Sequence, residues 1–170
     1  MAATTEIKRR TGASGGPTDT DITSSTSRLS TSDSPTPSSS NPIPRPSSGV
    51  VRSYWASIFL NASVAPATSI TNIKFYMDGA SAWTGITLYI GLTNTYTEAT
   101  GTTGSFGDDS LVATTDAFTY TSGSPLTVTS NATTGTGRLS YYMVVQADVT
   151  NAASPGTQGT ETASLVFDEV

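Results

Sequence analysis

The residue types that most often carry out catalysis are scarce in this chain. It contains no histidine and no cysteine, which excludes Ser-His and Cys-His nucleophiles and also Cys/His zinc sites. A Ser-Lys arrangement would have to use Lys74, the only lysine after residue 50, and no recognisable serine motif accompanies it. We therefore expect a protein that is not an enzyme and that needs no cofactor.

Carboxylates and aromatic residues offer two further kinds of site. Asp108 and Asp109 follow a glycine and supply oxygen atoms of the kind that bind calcium, but their spacing does not match an EF-hand loop. Trp55, Trp83 and Tyr89 could form a sugar-binding platform, although aromatic residues at strand spacing more often belong to a core. We favour the structural interpretation of both groups and expect no metal site, while calcium or sugar binding by the loops stays open.

The elements that must position any site divide near residue 50. Residues 1–50 contain 12 Ser, 9 Thr, 6 Pro and 4 Gly, and their few large apolar residues follow no helical or strand period. Such a segment buries too little apolar surface to offset its ordering entropy. The prolines of Asn41–Pro46 favour an extended backbone. We predict an extended arm over residues 1–50 that is mobile in the isolated protein and ordered in an assembly.

From residue 51 to residue 170 the apolar residues recur with the period of two that is typical of β-strands. No amphipathic helical pattern of useful length occurs. About eight short strands separated by turn signals predict an all-β domain, a single β-sandwich that could be jelly-roll-like. The clearest predicted strands are Ser53–Leu60, Thr71–Met77, Ile86–Leu92, Leu111–Thr115, Ala117–Tyr120, Leu126–Thr129, Leu139–Val145 and Ala163–Phe167.

Charge and hydropathy restrict the partners. Residues 1–50 carry a net charge of +1 and residues 51–170 a net charge of −6. An acidic domain argues against nucleic-acid binding. No run of 18 apolar residues occurs, so we expect no membrane-spanning helix.

Several segments resemble small virion proteins of tailed bacteriophages, most of all capsid decoration (cement) proteins. They are the end of the polar segment at Asn41–Pro44, the strand that begins at Ser53–Trp55, the run Asn72–Gly79, and the closing Ala153–Thr157 with Phe167–Glu169. The resemblance implies a β module, often trimeric, whose arm ties neighbouring capsid subunits together. It also implies that the protein is made in the host cytoplasm and then becomes part of the virion.

The resemblance implies a major capsid protein or another virion protein as the partner. The expected contacts are the scattered apolar and cationic residues of the arm together with its prolines. These are Ile7, Arg9, Arg10, Ile22, Arg28, Leu29, Pro42, Ile43, Pro44 and Arg45.

A homo-oligomer, most of all a homotrimer, is expected because apolar residues occupy both faces of Tyr54–Leu60 and Leu139–Val145. Two alternatives stay open. The chain could be another head–tail or tail component, or it could be a surface adhesin or carbohydrate-binding module on a flexible stalk.

Overall fold

A computed structural model describes residues 2–37, 39–101, 113–129 and 132–170 of the chain. These residues form eleven β-strands and one 3-10 turn, Ala117–Thr119, and no α-helix occurs among them. The strands are β1 (Thr4–Thr11), β2 (Thr18–Asp21), β3 (Val50–Arg52), β4 (Ala56–Val64), β5 (Ile70–Met77), β6 (Ile86–Thr93), β7 (Thr115–Asp116), β8 (Leu126–Thr129), β9 (Gly137–Arg138), β10 (Tyr142–Thr150) and β11 (Ala163–Glu169). The predicted all-β class is confirmed.

The larger sheet is antiparallel, with the strand order β2-β1-β4-β10-β6-β7. β3 and β4 pair with successive parts of the same edge of β10, and β10 and β9 pair with successive parts of the same edge of β4. β3 therefore extends the row of the sheet that β4 occupies, and β9 extends the row of β10, which lengthens the sheet.

The smaller sheet has the order β11-β5-β8 and packs over one face of the larger sheet. Its central strand shows the alternation expected of a half-buried strand. Ile73, Phe75 and Met77 are buried, whereas Lys74 and Tyr76 lie on the outer face. They meet core residues from β4, β6 and β10 in one apolar cluster. The two sheets thus form a sandwich around a common core.

One predicted strand is wrong. Residues Ala117–Tyr120 were expected to be extended, but Ala117–Thr119 form a 3-10 turn. The Asp116 carboxylate accepts a hydrogen bond of 3.0 Å from the Phe118 amide, and the Thr119 hydroxyl donates one of 2.6 Å to the Asp116 carbonyl. These local bonds give the backbone an alternative to a sheet ladder.

The predicted arm over residues 1–50 is not confirmed. β1 lies inside the larger sheet and pairs with β4 from Thr4 to Arg10, and β2 pairs with the other side of β1. The sequence did not reveal these strands because their residues are mostly Thr, Asp and Arg, which show no apolar alternation. Tertiary pairing with the apolar strand β4 stabilises them, although their own composition does not.

Candidate partner-binding surface

Arg9 is a predicted contact residue that the structure places in the interior. Its side chain is only 1% exposed. One terminal nitrogen donates to the Arg28 carbonyl at 2.9 Å and to the Ser27 hydroxyl at 3.3 Å, while Nε has no hydrogen-bond partner in the described part of the chain. Arg9 therefore holds the segment around Arg28 against β1. It is not available to a partner protein.

Arg10 is held equally firmly, on the outer face of the larger sheet. It forms a two-point ion pair with Asp19 of β2, with distances of 2.6 and 2.7 Å, and it donates to the Tyr142 hydroxyl. Its guanidinium lies 5.3 to 5.7 Å from the ring centres of Phe59, Tyr96 and Tyr142. These contacts join β1, β2, β4 and β10, so the role of Arg10 is structural.

Residues 22–49, which link β2 to β3 and are called the connection here, begin as a tightly held segment. Ile22 is buried, and its amide donates to the Ile7 carbonyl at 2.8 Å. Leu29 packs against the main core. The Tyr54 amide donates to the Ser30 carbonyl at 2.9 Å. Of the predicted contact residues in this part of the chain, only Arg28 has an exposed side chain.

The second part of the connection lies at the surface. Pro42, Pro44 and Arg45 are exposed and Ile43 is half-buried. Arg45 donates two hydrogen bonds to the carbonyl of Asn151, next to the end of β10. The structure therefore does not bring the ten predicted residues together. Their accessible part consists of Arg28 and the exposed proline run, which we define as Asn41–Pro46.

The outer face of the larger sheet carries a second apolar cluster. It consists of Trp55, Phe59, Tyr142 and Val144 with Ala99. Residues 94–101, which follow β6, cover this face. The Trp55 indole donates to the Thr97 carbonyl at 3.2 Å, and the Tyr54 hydroxyl donates to the Thr100 carbonyl at 2.9 Å. Most of the apolar residues that suggested a trimer are thus buried within one chain, although Tyr141 is 37% exposed. The trimer stays a prediction.

The charged groups around the start of the connection have shifted pKa values. Burial lowers the pKa of Arg9, and the neighbouring Asp33 partly opposes this shift. Burial also raises the pKa of Asp33, although its carboxylate accepts a 2.7 Å hydrogen bond from the Gly12 amide. The pKa of Tyr96 is raised by burial and by the nearby Asp33 and Glu98. These shifts follow from packing around the end of β1, where Tyr96 also donates to the Gly12 carbonyl at 2.7 Å.

The aromatic residues considered for sugar binding do not form one platform. Trp55 belongs to the outer-face cluster, and Trp83 packs edge-on against Phe118 beside the main core. Tyr89 lies on β6, in register with Gln146 and Asp116. Asp108 and Asp109 fall outside the described residues. Within the described ranges, no group of three or more acidic residues could hold a metal ion, and no helix is long and apolar enough to cross a membrane.

Sequence reasoning missed one further surface, the edge of the smaller sheet. Among the residues that the structure describes, β11 pairs only with β5, so its second edge is a boundary of the sheet. Val166 is 41% exposed on this strand. The alternation of Ala163–Phe167 predicted the strand correctly, but an edge position depends on the order of strands in the sheet, and a period of two does not contain that order.

Comparison with known proteins adds no relative. No protein family, curated protein or solved structure matches this chain.

Proposed function

We propose that this protein is a structural component of a bacteriophage virion, and specifically a cement protein that binds and stabilises the capsid shell. The proposal combines the sequence resemblance described above with the β-sandwich architecture. In this proposal it acts by binding alone, without catalysis or a cofactor. Its partner is the major capsid protein or another virion protein, and it works as a homo-oligomer, in the first place a trimer.

The exposed proline run is the observation that carries this proposal. Three of its residues, Pro42, Pro44 and Arg45, are exposed, and the fixed φ angles of the prolines keep this stretch extended. A stiff extended segment loses little conformational entropy when it binds, so more of its contact energy is available as affinity. Arg45 donates to Asn151 from Nε and one terminal nitrogen, and its other terminal nitrogen can donate to a carboxylate of the partner.

Hydrogen bonds hold the connection to the sandwich before the proline run and at Arg45, so the proposed mechanism uses a held segment in place of a free arm. Arg9 and Tyr54 hold the connection near Arg28 and Ser30, and Arg45 lies against Asn151 at the other end. The capsid-binding segment is therefore a strap displayed on the sandwich. Each contact can be weak, because many symmetric copies on one shell raise the overall affinity through avidity.

Binding to undecorated capsids tests the proposal. The combined variant Pro42→Ala, Pro44→Ala and Arg45→Ala should stay folded, because these side chains are exposed, but should bind capsids on the order of tenfold more weakly, a loss of about 1.4 kcal/mol. Co-sedimentation measures the binding, and circular dichroism checks the fold. A matched control replaces Ser14, Ser24 and Ser25, which are also exposed, with alanine and should bind as the unaltered protein does.

Two outcomes would count against the proposal. If the unaltered protein does not co-sediment with capsids at all, the cement function is wrong. If the proline-run variant decorates capsids as well as the serine control does, the strap is a passive spacer, and binding must use another surface.

A further inference from the structure

The free edge of β11 is a second surface whose backbone groups, apolar residues and charges indicate the kind of partner that it would bind. Ala163–Glu169 form one side of the smaller sheet, and β5 is the only strand of the described ranges that pairs with them. An unpaired strand edge presents a row of amide donors and carbonyl acceptors that fits another extended backbone.

Flanking hydrogen bonds establish which backbone groups point outward. Val170 exchanges both of its backbone bonds with Ser69, and the Thr162 carbonyl accepts from the Asp78 amide. In an antiparallel pair these directions alternate. The flanking bonds involve Thr162 and Val170, which are both even-numbered, so the backbone groups of the even-numbered residues of β11 face β5 on either side of the register shift between Val166 and Asp168. Ile70 agrees with this pattern, because it lies opposite Glu169 and directs both of its backbone groups away from β11, to Thr133.

The outward groups therefore belong to the odd-numbered residues of β11. Beside Glu169 the chain's own N-terminal segment lies at this edge, because the Ala3 amide donates to the Glu169 carboxylate at 2.6 Å. For Ala163, Leu165 and Phe167, the described part of the chain provides no hydrogen-bond partner to the outward amides and carbonyls. The free edge thus runs from Ala163 to Phe167 and is long enough for a short strand.

The core is also incomplete at this edge. Leu165 and Phe167 pack against the main core but remain half-exposed. The core residues of the neighbouring strand, Phe75 and Met77, are only 6% and 3% exposed. An added strand with apolar side chains at alternate positions would cover Leu165 and Phe167 while it pairs with the backbone of β11.

Charge adds a further requirement for the partner. Glu161 precedes β11 and Asp168 and Glu169 end it, while Lys74, in register with Val166, is the single cationic residue of the smaller sheet. The edge is therefore acidic at both of its ends. These carboxylates each accept a hydrogen bond within the chain, from the Ala82 amide, the Asn72 side chain and the Ala3 amide. They lie at or near the surface, so lysine or arginine near the ends of an added strand would be attracted to them.

We propose that the β11 edge, Ala163–Phe167, binds an extended strand of a partner protein, with alternating apolar residues and cationic ends. The added strand would enlarge the smaller sheet from three strands to four. This inference rests on the proposed function only for the identity of the partner, because the edge chemistry is a property of this chain.

A synthetic peptide tests the edge without any capsid. The peptide Lys-Val-Thr-Val-Thr-Val-Lys, blocked at both ends, would be added at millimolar concentration while amide hydrogen exchange is followed by NMR. In the free protein, the amides of Ala163, Leu165 and Phe167 should exchange at least tenfold faster than those of Ser164 and Val166. The peptide should slow the three fast amides at least tenfold, and the same peptide with proline as its central residue should not.

The variant Ala163→Pro removes one outward amide and leaves the bonds to β5 intact, and proline is tolerated at such edge positions. It should unfold within a few degrees of the unaltered protein and should lose protection by the peptide. The matched variant Val166→Thr changes the exposed outer face of the same strand and should keep the peptide response.

Three results would overturn the inference. The three amides could already be protected in a monomer, the peptide could slow none of them, or a second copy could occupy the edge, which sedimentation would show as a dimer with protected amides. The two proposals fail separately. A protein that responds to the peptide but never binds capsids contradicts the cement function alone, whereas capsid binding without any peptide response contradicts the edge proposal alone.

Discussion

At the scale of single residues, the structure assigns packing roles to several positions that the sequence suggested as contacts. Arg9 and Ile22 were expected at a partner interface because they are among the scattered cationic and apolar residues of a polar segment. Both are buried, since Arg9 bonds to Ser27 and Arg28 and Ile22 bonds to Ile7 of β1. Pro42 and Pro44 lie at the surface, as expected of a polar, proline-rich stretch.

Gly85 is a residue-scale feature that no sequence pattern indicated. It has a φ of +69°, and a methyl group there would overlap the backbone of Ala152 and Ala153. We expect Gly85→Ala to lower the free energy of unfolding by roughly 2–6 kcal/mol, since a left-handed backbone and overpacking each cost about 1–3 kcal/mol. Urea unfolding measures this loss. Gly135→Ala is the control, because a methyl group there meets nothing within 4 Å, and equal stability of the two variants would contradict the packing described for Gly85.

At the scale of elements, alternating apolar residues predicted strands from the sequence. Strands that form only because they pair with a distant strand were missed. Ile86–Leu92 and Leu126–Thr129 agree closely with β6 and β8. β1 escaped prediction because its apolar content is confined to Ile7, and its long-range pairing with β4 leaves no local signal. The edge position of β11 was hidden for the same reason, because it depends on the order of the whole sheet.

The role of β1 leads to a prediction for a truncated chain. Deleting residues 2–12 removes β1, which pairs along one edge of β4, and the Arg10 contacts with Phe59 and Tyr142. We expect a cost comparable with the whole stability of a small domain, about 5–15 kcal/mol, and therefore loss of the cooperative thermal transition seen by circular dichroism. The combined proline-run variant is the folded control. A truncated protein with an unchanged transition would restore the interpretation of residues 1–50 as a separate arm.

At the scale of the whole molecule, we propose that binding uses two elements outside the core, the exposed proline run and the β11 edge. The core and the outer-face cluster hold the sandwich together, and both elements lie on its surface. The sequence predicted the β domain correctly, but the separate arm expected over residues 1–50 is not confirmed. The contacts that join this segment to the domain could not be predicted, because they link residues far apart in the chain, among them Arg10 with Tyr142 and Arg45 with Asn151.

A cryo-electron microscopy map of the virus particle that carries this chain would test the proposed cement function most directly. We expect β-sandwich density on the outside of the capsid shell, with residues 41–46 in contact with the major capsid protein. Particles that lack the chain, or copies confined to the connector or tail, would contradict the cement function. A shell-bound sandwich whose proline run faces solvent would contradict the role given to the strap.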